Sequence, residues 1–149
     1  MLKIAPFSSL LLLAFGLRVL AQETAAPAVP ARTPAPPNAA VYFLSPADGA
    51  TVSSPVTIRF GLRGMGVAPA GVTTANTGHH HLLVDVETLP PDNLPIANDA
   101  NHRHFGLGQT ETELALPPGR HTLQLVLGDA LHIPHLPPVR SEKITITVQ

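Results

Sequence analysis

The chain has no cysteine and no tryptophan, and only 13% of its 149 residues are charged. Without cysteine there can be no disulfide scaffold, thiolate zinc site, iron–sulfur cluster or cysteine nucleophile. The formal net charge of −1 provides no attraction for nucleic acid or for an anionic membrane surface. The 17 prolines and 11 glycines exclude a coiled coil or a long helical bundle, because both residues break helices. The length fits one domain.

The N-terminal residues have the pattern of an export signal. Lys3 precedes an apolar run at residues 10–15, and Ala21 is the small residue that signal peptidase requires. The run is too short to span a bilayer, so we predict a signal peptide at residues 1–21 and a periplasmic or secreted protein without a membrane span. A retained anchor is the alternative. Residues 22–40 are mostly Ala, Pro and polar residues, which predicts a disordered linker.

From residue 41 onward the sequence has the pattern of an all-β domain. Apolar and polar residues alternate over short segments, and turns rich in Pro and Gly separate these segments. No segment shows helical periodicity. The pattern predicts one immunoglobulin-like antiparallel β-sandwich over residues 41–149. The predicted strands lie at residues 41–44, 57–62, 79–86, 110–116, 121–127 and 143–148.

Eight histidines carry the functional argument. Residues two apart on a strand lie on the same face, so the pairs that begin at His79 and His102 can each clamp one ion. Two further histidines lie in a proline-rich loop that can deliver both side chains to an ion. Neutral imidazole binds copper, zinc and nickel well, and export removes the competing thiols of the cytosol. The predicted metal ligands are His79, His81, His102, His104, His132 and His135.

The two strand pairs are expected to supply most of one metal site on an exposed sheet face. Copper is the preferred ion and zinc is the alternative. His80 and His121 alternate with apolar core residues, and we expect both to be structural. Four carboxylates, those of Asp85, Glu87, Asp99 and Asp129, can either add oxygen ligands or orient imidazoles.

Six sequence blocks resemble those of a family of small exported bacterial domains of unknown function. The resemblance extends over residues 41–149. It implies an exported, all-β single domain whose histidines cluster in the motifs, and it brings no established activity. The most distinctive blocks are GHHHL at 78–82, HFGLGQTE at 104–111, LPPGRHTLQLVLGD at 116–129 and HIPHLPPV at 132–139.

Two functional hypotheses follow. The first is an exported, periplasmic metal-binding protein, with copper preferred, that acts in sequestration, delivery or sensing. The second is a non-catalytic immunoglobulin-like interaction module that binds a cell-envelope protein or polymer and whose histidines are structural. A metal-dependent enzyme is a third hypothesis, and it is the least favoured, because the chain has neither a G-x-S-x-G nor an H-E-x-x-H motif. The predicted mature N-terminus, Gln22, also lacks the histidine of an N-terminal copper clamp.

Overall fold

The computed structural model describes residues 31–149 of the chain. The predicted signal peptide, and the predicted linker as far as residue 30, lie outside the described residues. In the described part, no helix has the length and apolar character needed to cross a membrane. The nine strands found there are β1 (Ala40–Ser45), β2 (Thr51–Val52), β3 (Val56–Arg63), β4 (Gly66–Val67), β5 (Thr77–Val84), β6 (His102–His104), β7 (Glu111–Leu114), β8 (Gly119–Gly128) and β9 (Ile144–Val148).

The strands form two sheets that pack face to face. One sheet has the order β1-β3-β7, and the other has the order β2-β9-β8-β5-β4, with β6 paired to β5. Most neighbours are antiparallel, while β2 pairs with β9 and β4 with β5 in parallel. Side chains of both sheets share one hydrophobic core. The prediction of an all-β sandwich is therefore confirmed, whereas its immunoglobulin-like topology stays a prediction.

All six predicted strands are present, with end points shifted by a few residues. The sequence did not predict β2 and β4 as strands, because two residues are too few to show an alternation. For the three residues of β6, the sequence analysis assumed an extended backbone, because it placed His102 and His104 on the same face, but it did not predict a separate strand. These short strands matter for the site, since β6 carries one of its side chains.

The core between the sheets follows the alternation of β5 and β8. Leu82 and Leu125 are paired across the two strands, and both are fully buried. Burial of one such leucine contributes about 1.5–3 kcal/mol. The alternation of the strand predicted at residues 79–86 places Val86 on this same face as Leu82, but Val86 lies instead beside Leu83 on the opposite one. The reason is Asp85, whose φ of 55° interrupts the extended backbone and reverses the alternation.

The opposite face of β5 is also buried, which corrects the expectation of histidines on an exposed sheet face. His79 is 1% exposed and His81 is 0% exposed. A second small hydrophobic cluster packs on this face, where Leu83 and Val126 contact Ile96 from the long connection between β5 and β6. The chain therefore encloses this part of the sheet on both sides.

The last part of the predicted linker, residues 31–40, lies on the domain. The Ala35 amide donates to the Leu136 carbonyl, and the Leu136 amide donates to the Thr33 carbonyl, each over 2.9 Å. Ala40 already belongs to β1. These contacts use backbone groups, and the small side chains of Ala35 and Ala39 pack against the core.

Candidate metal centre

Strand β5 supplies the floor of the site with His79 and His81. Both rings project from the same face, because side chains alternate along a strand, and their centroids are 4.8 Å apart. On the neighbouring strand β8, His79 is paired with Gly128. A Cβ atom on Gly128 would lie 2.6 Å from Cε1 of His81. The glycine therefore leaves the space that the His81 ring occupies.

Strand β6 adds a third imidazole. The register pairs His104 directly with His81, so the two side chains share a face, and their ring centroids are 5.1 Å apart. Gly106 follows on the same segment, and a Cβ atom there would collide with the His104 ring. The sheet pairing and this glycine together direct His104 toward the β5 histidines.

The loop after β8 adds the fourth imidazole. The Asp129 carboxylate accepts hydrogen bonds from the amides of Leu131 (2.9 Å) and Ile133 (3.0 Å). Between these two residues, His132 has a φ of 66°, in the left-handed region that few non-glycine residues adopt. This tight turn brings Nδ1 of His132 to 3.0 Å from Nε2 of His79.

Four ring nitrogens, one from each histidine, all lie within 4.8 Å of one another. His79 and His81 are buried, whereas His104 and His132 are partly exposed. Nε2 of His104 and both ring nitrogens of His81 are buried without a hydrogen-bond partner anywhere in residues 31–149. Buried polar atoms in native proteins nearly always have a partner. A neutral imidazole has one nitrogen with a free lone pair, so His81 and His104 could each offer one of these nitrogens to a metal ion.

The electrostatics favour the uncharged form of His79, His81 and His104. Burial, followed by the nearby His132 and His104, lowers the pKa of His79 from 6.5 to about 4. Burial and then the His79 ring lower the pKa of His81 to about 2. The pKa of His104 is lowered in the same way, by burial and by His132. At neutral pH these imidazoles offer lone pairs, which is the form that binds a metal ion.

Comparison with known protein families identifies the group to which the chain is related. A profile of the family described as "Domain of unknown function (DUF4399)" matches residues 58–149. The chain belongs to this family. No curated protein and no solved structure matches the chain. The match confirms the resemblance to a domain family of unknown function. The matched residues include all four clustered histidines. Residues 31–57 of this DUF4399 protein precede the matched residues.

The two other predicted ligands lie outside the four-histidine group. His102 is paired with Leu83 rather than with a histidine of β5, and its Nδ1 lies 2.9 Å from Oδ1 of Asp99. His135 is fully buried, and its ring nitrogens lie 3.3 Å from the Leu127 carbonyl and 3.2 Å from the Thr77 carbonyl. In this DUF4399 domain, His132 thus takes the place that was expected for His102.

His80 and His121 have the structural positions that their alternation predicted. The His80 ring faces the core between the sheets, with its centroid 5.1 Å from that of Phe60. Nδ1 of His121 lies 2.8 Å from the Asp85 carboxylate, and its Nε2 lies 2.9 Å from the Pro117 carbonyl. The hydrogen bond to Asp85 raises the pKa of His121. Neither residue belongs to the four-histidine group.

The sequence analysis missed the glycines that make room for the rings. Gly128 follows the strand predicted at residues 121–127, and Gly106 lies in a glycine-rich turn. Both therefore resemble ordinary glycines at the end of a strand or in a turn. Their spacing to the histidine motifs carries no signal until the pairing of β5 with β6 and β8 is known. Asp129 was recognised as a residue that could orient an imidazole, and its position directly before the Ala130-Leu131-His132 turn was the available clue.

Proposed function

We propose that this protein is an exported metal-binding protein whose centre consists of His79, His81, His104 and His132. The observation that carries the proposal is the convergence of four imidazole nitrogens within 4.8 Å. The lowered pKa values of His79, His81 and His104 supply neutral donors at physiological pH. The predicted signal peptide supports a periplasmic location.

A purely structural role would leave both ring nitrogens of His81 without a hydrogen-bond partner among the described residues. His135 has a carbonyl near each ring nitrogen, and the structural His80 has one near Nδ1, although its Nε2 is also unpartnered. His81 is buried equally well and has neither contact. An unpartnered polar group in the interior costs about 1–3 kcal/mol, and a bound metal ion would remove that cost at the one ring nitrogen that binds it. The contrast between His81 and His135 favours the metal centre.

Copper is the ion that we propose, with zinc as the alternative. Imidazole nitrogen suits both ions, and the Irving–Williams order places Cu(II) above the other divalent first-row metals at a given site. The chain has no cysteine that would add thiolate ligands. Four neutral imidazoles leave the full charge of the ion uncompensated, so an exogenous anion could also bind to the metal.

Sequestration, delivery and sensing are the roles that fit such a centre. His79 and His81 form a buried floor, while His104 and His132 are partly exposed. An ion would therefore enter and leave on the side of the β6 edge and the loop after β8. Access from one side is compatible with transfer of the ion to another protein.

An interaction module is the second candidate, and exposed apolar side chains favour it. Leu107 is 83% exposed, Leu131 56% and Leu136 54%. Leu107 follows the segment that holds His104, and Leu131 precedes His132. These leucines could form part of a contact with an envelope protein, with or without a metal in the centre.

Calorimetric titration of the metal-free, tag-free protein tests the proposal. The wild type should bind one Cu(II) per chain, and the His79→Ala/His81→Ala variant should lose this binding. His102→Ala is the matched control, because it removes a strand histidine outside the cluster. Zn(II), Ni(II) and Cu(I) titrations establish the preference. Weak binding of every metal that is equal in all three proteins would contradict the proposal and favour the interaction module.

A further inference from the structure

A short N-terminal segment lies across the loop that carries His132. We call this segment, residues 32–36, the strap. It forms an isolated parallel bridge in which Pro34 is paired with Leu136. The strap precedes the residues matched by the family profile, which begin at 58. The strap therefore lies outside the matched residues.

Two side chains of the strap fasten it to the loop. The Arg32 guanidinium donates to the carbonyls of Pro134 (3.0 Å) and His135, and it lies 3.9 Å from the Asp92 carboxylate. The Thr33 hydroxyl donates to Oδ2 of Asp129 over 2.7 Å. The strap therefore contacts the loop on both sides of His132. Arg32 binds carbonyls that follow His132 in the chain, and Thr33 binds the Asp129 carboxylate that precedes it.

Asp129 connects the strap to the turn that positions His132. One carboxylate oxygen, Oδ2, accepts the Thr33 hydroxyl, while Oδ1 accepts the amides of Leu131 and Ile133. Asp129 is only 4% exposed, so water cannot readily replace the hydroxyl. A left-handed conformation at a residue such as His132 persists only where its surroundings enforce it. The Thr33–Asp129 contact is part of that enforcement.

We propose that Thr33 and Asp129 are positioning residues of the metal centre, and that the strap holds His132 within reach of the other three imidazoles. The proposal rests on the proposed function. The strap lies within the predicted linker. According to this proposal, it directly influences the affinity of the centre for the ion. Residues that orient metal ligands commonly change the affinity about 10–100-fold when they are replaced.

Thr33→Val and Thr33→Ser form a matched pair for the test. Valine keeps the shape of threonine and removes the hydroxyl, whereas serine keeps the hydroxyl. Cu(II) affinity is measured by competition with a chelator of known affinity. Thr33→Val should weaken Cu(II) binding by about 10–100-fold, and Thr33→Ser should bind close to wild type. In the metal-free protein, Thr33→Val should also speed hydrogen exchange at the amides of Leu131 and Ile133.

The same substitution in a His132→Ala background shows whether Thr33 acts through that ligand. Three histidines remain there, so Cu(II) binding is still measurable, and adding Thr33→Val should change it no further. An equal loss in both backgrounds would overturn the positioning role, as would wild-type affinity in Thr33→Val. A wild-type protein that binds neither Cu(II) nor Zn(II) would overturn the proposed function itself and the positioning role with it.

Discussion

Replacement of His81 by leucine should make the metal-free protein more stable. The His81 ring is fully buried, and neither of its nitrogens has a hydrogen-bond partner among the described residues. An apolar side chain of similar size removes that unpaired polar group, which is worth about 1–3 kcal/mol. Urea unfolding of protein treated with a chelator, followed by circular dichroism at pH 7, measures the gain.

The same substitution at His135 is the control, and it should have the opposite effect. His135 is buried to the same extent, but its ring nitrogens lie against the carbonyls of Leu127 and Thr77. Leucine there removes the N–H that imidazole donates to one of these carbonyls and should cost about 1–3 kcal/mol. Equal destabilisation by His81→Leu and His135→Leu would show that His81 is a structural residue.

The pH dependence of stability provides a second readout of the same prediction. In the unfolded chain histidine takes up a proton below about pH 6.5, whereas the folded-state pKa is about 4 for His79 and about 2 for His81. The unfolded state therefore binds more protons as the pH falls from 6.5 toward 4, and stability is lost over that range. Each such histidine contributes up to about 1.4 kcal/mol per pH unit. As the pH falls, the His81→Leu variant should therefore lose stability less steeply than the wild type, by up to about 1.4 kcal/mol per pH unit.

Cu(II) should stabilise the wild-type fold strongly. An ion that binds only the folded state adds about 2.7 kcal/mol when its free concentration is a hundred times the dissociation constant. For a domain of this size each kcal/mol raises the melting temperature by roughly 4 °C or more. The His79→Ala/His81→Ala variant should show no such rise, and His102→Ala should behave as the wild type does. Calorimetric melting scans with and without Cu(II) measure the shift. A rise of equal size in all three proteins would place the ion elsewhere.

Alternation and turn residues were sufficient to predict the longer strands and the core. The segments around Ile58, Leu82 and Leu125 alternate over six or more residues, and each of these side chains is fully buried. The spacing of His79 and His81 likewise predicted that the two rings share a face. These features depend on local periodicity, which a sequence displays directly.

The composition of the site depends on contacts between distant segments. His104 meets His81 because of the register between β6 and β5, and His132 arrives through a left-handed turn framed by Asp129. Neither the register nor the path of that loop leaves a periodic signal, so His102 was expected where His132 lies. The Thr33 contact was hidden in the same way, since its segment has the composition of a linker.

X-ray absorption at the copper edge of the loaded protein tests the central claim most directly, because it counts the imidazoles bound to the ion. The account predicts a spectrum dominated by four imidazole nitrogens in the wild type and in His102→Ala. In His132→Ala the imidazole count should fall to three. A wild-type spectrum with two or fewer imidazoles, or one that is unchanged in His132→Ala, would contradict a centre formed by His79, His81, His104 and His132.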